Sequence, residues 1–148
     1  MKTTIASLSF ILCLILSTMP AMAQPLATGV RAGASGDPDQ FYFGGHVETG
    51  ALVDRVHFRP NVELGVGDDA TLIAFNFDLV YKFPSRNVWN VYGFGGPALN
   101  VASAHDDTDA GGGFNIGLGI ETRKGLFGEF KVGMIDSPDF KIGIGWRF

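Results

Sequence analysis

The chain has 148 residues, with 15 acidic and 11 basic side chains, a net charge of −4, and 21 glycines. This acidic balance excludes the basic footprint of a nucleic-acid-binding protein. A single cysteine, Cys13, excludes a disulfide framework and a multi-thiolate metal site.

Met1 and Lys2 open the chain with positive charge, residues 5–16 are almost unbrokenly apolar, and Ala21-Met22-Ala23 forms an A-x-A pattern. A secretory signal peptide over residues 1–23 is therefore expected, with residues 24–148 as one domain. The apolar run is too short to cross a bilayer core of roughly 30 Å as a helix. No later stretch reaches about 18 consecutive apolar residues, so a helical span is excluded there too. Cys13 falls inside the leader, and without Lys2 the remainder carries 10 basic and 15 acidic residues, a net −5.

Eight segments of alternating polarity follow. They are residues 28–34, 41–49, 56–66, 71–83, 88–103, 113–122, 126–135 and 140–148, separated by clusters rich in Gly, Pro, Asp and Ser. Period-two strands broken by such turns predict an all-β, antiparallel, up-and-down barrel. The longest connection expected is 104–112, with Asp106, Asp107 and Asp109.

Within the fourth segment Ile73, Phe75, Phe77, Leu79, Tyr81 and Phe83 share one face, and Asn76, Asp78 and Lys82 the other. The third, sixth and eighth segments divide in the same way, and no Asp, Glu, Lys or Arg inside a segment falls on an apolar face. Parity alone does not say which face is outside, but three features predict the apolar one. The polar face mixes glycines with long charged side chains, as the filled interior of an eight-stranded barrel requires. Aromatics such as Phe41, Phe83, Trp89 and Trp146 collect near segment ends, where membrane-interface girdles lie. Strands of about ten residues, tilted by roughly 40°, span about 25 Å, the height of a lipid-facing band.

The last eight residues, Lys141 to Phe148, resemble the C-terminal assembly signal of outer-membrane barrels, with Lys141, Gly143, Trp146 and Phe148 at its marked positions. The whole of 24–148 resembles the small eight-stranded outer-membrane β-barrel family (porin-like) typified by the OmpA membrane domain and OmpX. That resemblance implies a transmembrane barrel in the cell outer membrane, inserted by the barrel assembly machinery and in contact with outer-membrane lipids and lipopolysaccharide. A monomer without a cofactor is expected. An even strand number places both termini on the periplasmic side with the short turns. Nine aspartates then fall in the outer loops, with Asp106, Asp107 and Asp109 forming the densest part of an acidic rim.

Enzymatic readings find little support. No His is followed two residues later by Ser, the pair that lipid A deacylases of this shape carry, and Ser103, His105 and Asp106 offer only residue types in a loop. The acidic run at 106–109 lacks the spacing and closing Glu of a calcium loop. No metal site is expected, and His46 and His57 are read as interior hydrogen-bonding groups.

The inward face combines Arg31, Arg59, Lys82, Arg123, Lys131, Lys141 and Arg147 with Glu48, Glu63, Asp78, Glu121 and Glu129. Arg123 also falls at the edge of the 123–125 turn. Opposed signs in a narrow lumen predict a salt-bridged plug, because unpaired buried charge is costly. If Asp68-Asp69 is a two-residue turn, Arg59 stands opposite Asp78, Asn61 opposite Asn76 and Glu63 opposite Ala74. Arg59 with Asp78 is the expected ion pair. The role expected is structural or surface-interacting; passage of small or hydrophobic solutes is the alternative, and lipid A modification comes third.

Overall fold

The computed structural model describes residues 26–37, 39–67, 70–104 and 107–148. The strands are β1 (Ala27–Gly36), β2 (Gln40–Glu48), β3 (Val56–Val66), β4 (Thr71–Lys82), β5 (Trp89–Ala104), β6 (Asp107–Thr122), β7 (Leu126–Ile135) and β8 (Phe140–Arg147). They form a closed antiparallel barrel in chain order, with β8 paired back onto β1. The expected signal peptide, the Asp68-Asp69 turn, His105 and Asp106 lie outside the described residues.

The barrel is inside out relative to a soluble one. Along β4, Ile73, Phe75, Phe77, Leu79 and Tyr81 are exposed at 38–53 %, whereas the alternate positions Ala74, Asn76, Asp78 and Val80 are at 1 % or less. A pleated strand sends successive side chains to opposite faces, so this contrast follows directly from the two-residue period. The same alternation puts Ile116, Leu118 and Ile120 of β6 and Ile142, Ile144 and Trp146 of β8 outside. All eight expected strands are present, seven of them within two residues of the ends that alternation places. Turn geometry is local: Gly125, at φ +98°, reverses the chain between β6 and β7, and its N–H donates to the Thr122 carbonyl at 3.1 Å.

The expected loop at 104–112 is corrected. β6 begins at Asp107, six residues before the expected start, and pairs with β5 without a break from Ala104↔Asp107 to Trp89↔Thr122. Asp, Gly and Thr here read as turn formers, but ladder hydrogen bonds to β5 outweigh that weak local preference. The result is a hairpin that runs beyond the last β6–β7 rung, Gly113↔Ile135.

Candidate functional site

Three layers of charge fill the lumen. Near the outer end, Lys131 of β7 and Lys141 of β8 stand directly opposite each other, an arrangement that like charges alone would destabilise. Glu63 reaches across from β3 to hold both: Lys131 Nζ donates to Oε1 at 2.8 Å and Lys141 Nζ to Oε2 at 2.7 Å. Arg31 Nη1 lies 3.6 Å from the same carboxylate, and Lys141 also sits 5.1 Å from the centre of the Tyr42 ring.

The middle layer is built on Glu129. Arg31 Nη1 donates to Oε2 at 2.7 Å, the Tyr92 hydroxyl donates to Oε1 at 2.8 Å, and Arg59 Nη2 lies 2.7 Å from Oε1. The Arg59 guanidinium also stacks over Phe94 and Tyr92, 4.9 and 5.3 Å from the ring centres, a geometry that attracts cations. At the end of the barrel that carries the β4–β5 and β6–β7 turns, Glu48 and Glu121 share Lys82 and Arg147, at 2.6–3.4 Å.

The expected register is observed, with Arg59 opposite Asp78, Asn61 opposite Asn76 and Glu63 opposite Ala74. The expected ion pair is present at its outer limit, and a closer partner joins it. Arg59 Nη2 lies 4.0 Å from Asp78 and 2.7 Å from Glu129. A long guanidinium on the concave face of a barrel reaches across the lumen as readily as to its cross-strand neighbour. Asp78 instead accepts from Asn61 Nδ2 at 2.9 Å and starts an amide ladder: Asn76 donates to Asn61, and Asn115 to Asn76, each at 2.8 Å. Asp78 Oδ1 has no hydrogen-bond partner among the described residues.

Four aromatic rings share this interior, and the polarity pattern hides them. Tyr42, Tyr92, Phe94 and Phe127 are at most 4 % exposed. Strand parity with Gln40, Asn100 and Glu129 is the signal that reveals them. Glycines make their room. Gly119 lies opposite Tyr92, Gly117 opposite Phe94 and Gly145 opposite Phe127. A Cβ on any of the three would fall within the facing ring.

The remaining predicted residues are dispersed. Arg123 is exposed in the turn. His46 Nδ1 lies 3.1 Å from Arg31 Nη2, and its ring packs edge-on to Phe127. His57 Nδ1 is 2.9 Å from the Thr49 carbonyl and 3.8 Å from Glu48. Ser103 Oγ sits 3.5 Å from Thr108 Oγ1 across the hairpin. Asp109 joins Asp37, Asp136 and Asp139 around a cup of about 580 Å³ at the outer mouth. Asp107 continues up the same strand face. Among the described residues no cluster of three or more His, Cys, Asp or Glu could hold a metal ion. Of the terminal motif, Trp146 and Phe148 face outward at 42 % and 74 % exposure, while Lys141 points inward to Glu63.

The 136–139 loop folds over the mouth. Ile135 adopts φ +66°, a conformation rare for a branched side chain, and turns the chain inward there. Asn100 Nδ2 then donates to the Asp136 carbonyl and to Ser137 Oγ.

No family model matches the sequence, and no curated protein matches it. Solved structures do. The N-terminal β-barrel domain of Pseudomonas aeruginosa OprF aligns at TM-score 0.58 and 16 % identity, over 82 % of this chain and 97 % of that one. Neisserial surface protein A aligns at 0.61 and 16 %, over 82 % and 93 %. The outer membrane enzyme PagL aligns at 0.53 and 11 %, over 82 % and 98 %. At these identities the likeness is one of fold: the chain has the eight-stranded antiparallel barrel that these outer-membrane proteins share.

Proposed function

We propose that the protein resides in the outer membrane after signal-peptide export, as a structural or surface-interacting barrel whose lumen conducts no solute. The observation that carries this reading is the pairing of an apolar outer wall with an interior of mutually neutralising charge. Ala74, Asn76, Asp78 and Val80, at 1 % exposure or less, leave no wetted path along the inner face of β4. A narrow lumen crossed by Glu63, Glu129 and Glu121 with their cations is a plug rather than a filter, since opposed charges so close hold one another. Closure of the sheet leaves no open edge within the barrel, which supports a monomer. Lipids, lipopolysaccharide and, during biogenesis, the barrel assembly machinery are its proposed contacts. A non-enzymatic role is part of the proposal; among the described residues Ser103 Oγ has Thr108 Oγ1 beside it at 3.5 Å.

Planar-bilayer recording of the purified protein tests the plug. The expected result is an insertion-competent protein with no stable conductance; reproducible ion-conducting steps would favour solute passage instead.

A further inference from the structure

The outer wall is not evenly covered. On β5 the outward positions run Val91, Gly93, Gly95 and Pro97, so two consecutive outward positions carry no side chain. Leu79 and Tyr81 of β4 and Ile116 and Leu118 of β6 rise on either side. Together with β7 they enclose an apolar groove of about 670 Å³, within the range of small-molecule sites. Gly93 is four residues above the start of β5, roughly 13 Å along the strand, within the depth of one leaflet.

Charge gathers at the foot of this groove. The β4–β5 turn carries Arg86 and the β6–β7 turn carries Arg123 and Lys124, all exposed. Among the described residues none of the three has an ion-pair partner. The neighbouring Arg55 lies 3.8 Å from Asp54. An apolar slot of leaflet depth above free cations fits one chemistry: an acyl chain attached to an anionic headgroup.

We propose that this groove seats an anionic phospholipid of the periplasmic leaflet, its chain over Gly93 and Gly95 and its phosphate against Arg86, Arg123 and Lys124. The inference rests on the membrane placement proposed above. Each basic side chain near an anionic surface is worth roughly fivefold in partition, so the site predicts a clear headgroup preference on this side of the barrel and none opposite.

Tryptophans on the two sides report on them. Trp89 opens β5 beside the groove. Trp146, on β8 next to β7, pairs with Leu126 beside the Lys124-Gly125 turn. The far side is therefore read from Val47→Trp on β2, an outward position opposite Thr28 of β1. The purified protein, as Trp146→Phe or as Val47→Trp with both native tryptophans changed to Phe, is reconstituted into phosphatidylcholine vesicles, and fluorescence quenching by chain-brominated phosphatidylglycerol is compared with that by brominated phosphatidylcholine. With Trp89 alone, phosphatidylglycerol should be favoured roughly fivefold or more; with Val47→Trp alone the two should be equal. Gly93→Leu should abolish the preference, as should combined Arg86→Gln, Arg123→Gln and Lys124→Gln. A Cβ at Gly93 meets its nearest atoms at an ordinary 3.7 Å, so the side chain fits the fold. Should Gly93→Leu not fold, Leu118→Phe fills the slot from the next strand and repeats the test. Equal quenching at Trp89 by both lipids overturns the proposal. So does a preference that survives the filled groove, because cations alone would then explain it. Quenching of neither tryptophan by any lipid would instead refute the membrane placement.

Discussion

At the scale of single residues, the lumen ranks its carboxylates by how many cations each one holds. Glu129 holds two cations, Arg31 and Arg59, and accepts from the Tyr92 hydroxyl, whereas Asp78 takes one amide hydrogen bond and lies 4.0 Å from Arg59. Glu129→Gln should therefore leave two guanidinium groups poorly compensated and cost about 3–5 kcal/mol. Asp78→Ala removes a weaker partner and should cost about 1–3 kcal/mol. Urea unfolding in lipid vesicles measures both; a larger loss for Asp78→Ala would restore it as the partner of Arg59. This contrast also marks how far the sequence could be read. Opposition of Arg59 and Asp78 followed from a two-residue turn at Asp68-Asp69 and strand parity. The contact with Glu129 depends on which residues of β3 and β7 share a height in the closed barrel, and no local signal encodes that.

Among the strands, parity controls the effect of each substitution. Phe77→Lys places a cation on the apolar wall and should cost roughly 2–4 kcal/mol near the bilayer midplane. Asn76→Lys points into the lumen, breaks the Asn61–Asn76–Asn115 ladder, and should act by crowding. Equal effects of membrane thickness on both variants would show the faces to be misassigned. Glycines are the second device. Gly119→Val forces a side chain into the Tyr92 ring and should destabilise by about 1–3 kcal/mol through overpacking. Combining it with Tyr92→Ala should lose less than the two single effects added together. Strict additivity would mean that the pair does not share space. The β5–β6 hairpin was hidden because Asp107 to Gly112 have turn-like composition, and only their uninterrupted pairing with β5 makes them a strand.

For the molecule as a whole, the proposed outer-membrane placement assigns the outward aromatic residues at the C-terminus to assembly and the inward charges to the folded state. Trp146→Ala with Phe148→Ala leaves the plug intact but removes two outward aromatics, so it should lower the yield of heat-modifiable protein in outer-membrane fractions. Unchanged yield would count against the terminal motif as an assembly signal. The fold class and both faces of the sheet were legible because period two is enforced at every rung. The mouth was less so, since the inward turn at Ile135 and the Asn100 contacts are long-range. The central claim is that the apolar wall meets lipid. Spin labels placed singly at positions 74 to 81 of the reconstituted protein test it most directly, by comparing collision with oxygen, which partitions into lipid, and with a water-soluble nickel chelate. The account predicts high oxygen and low nickel accessibility at 75, 77, 79 and 81, with neither reagent reaching 76, 78 and 80. Free access of the nickel chelate to 75, 77 and 79 would contradict it.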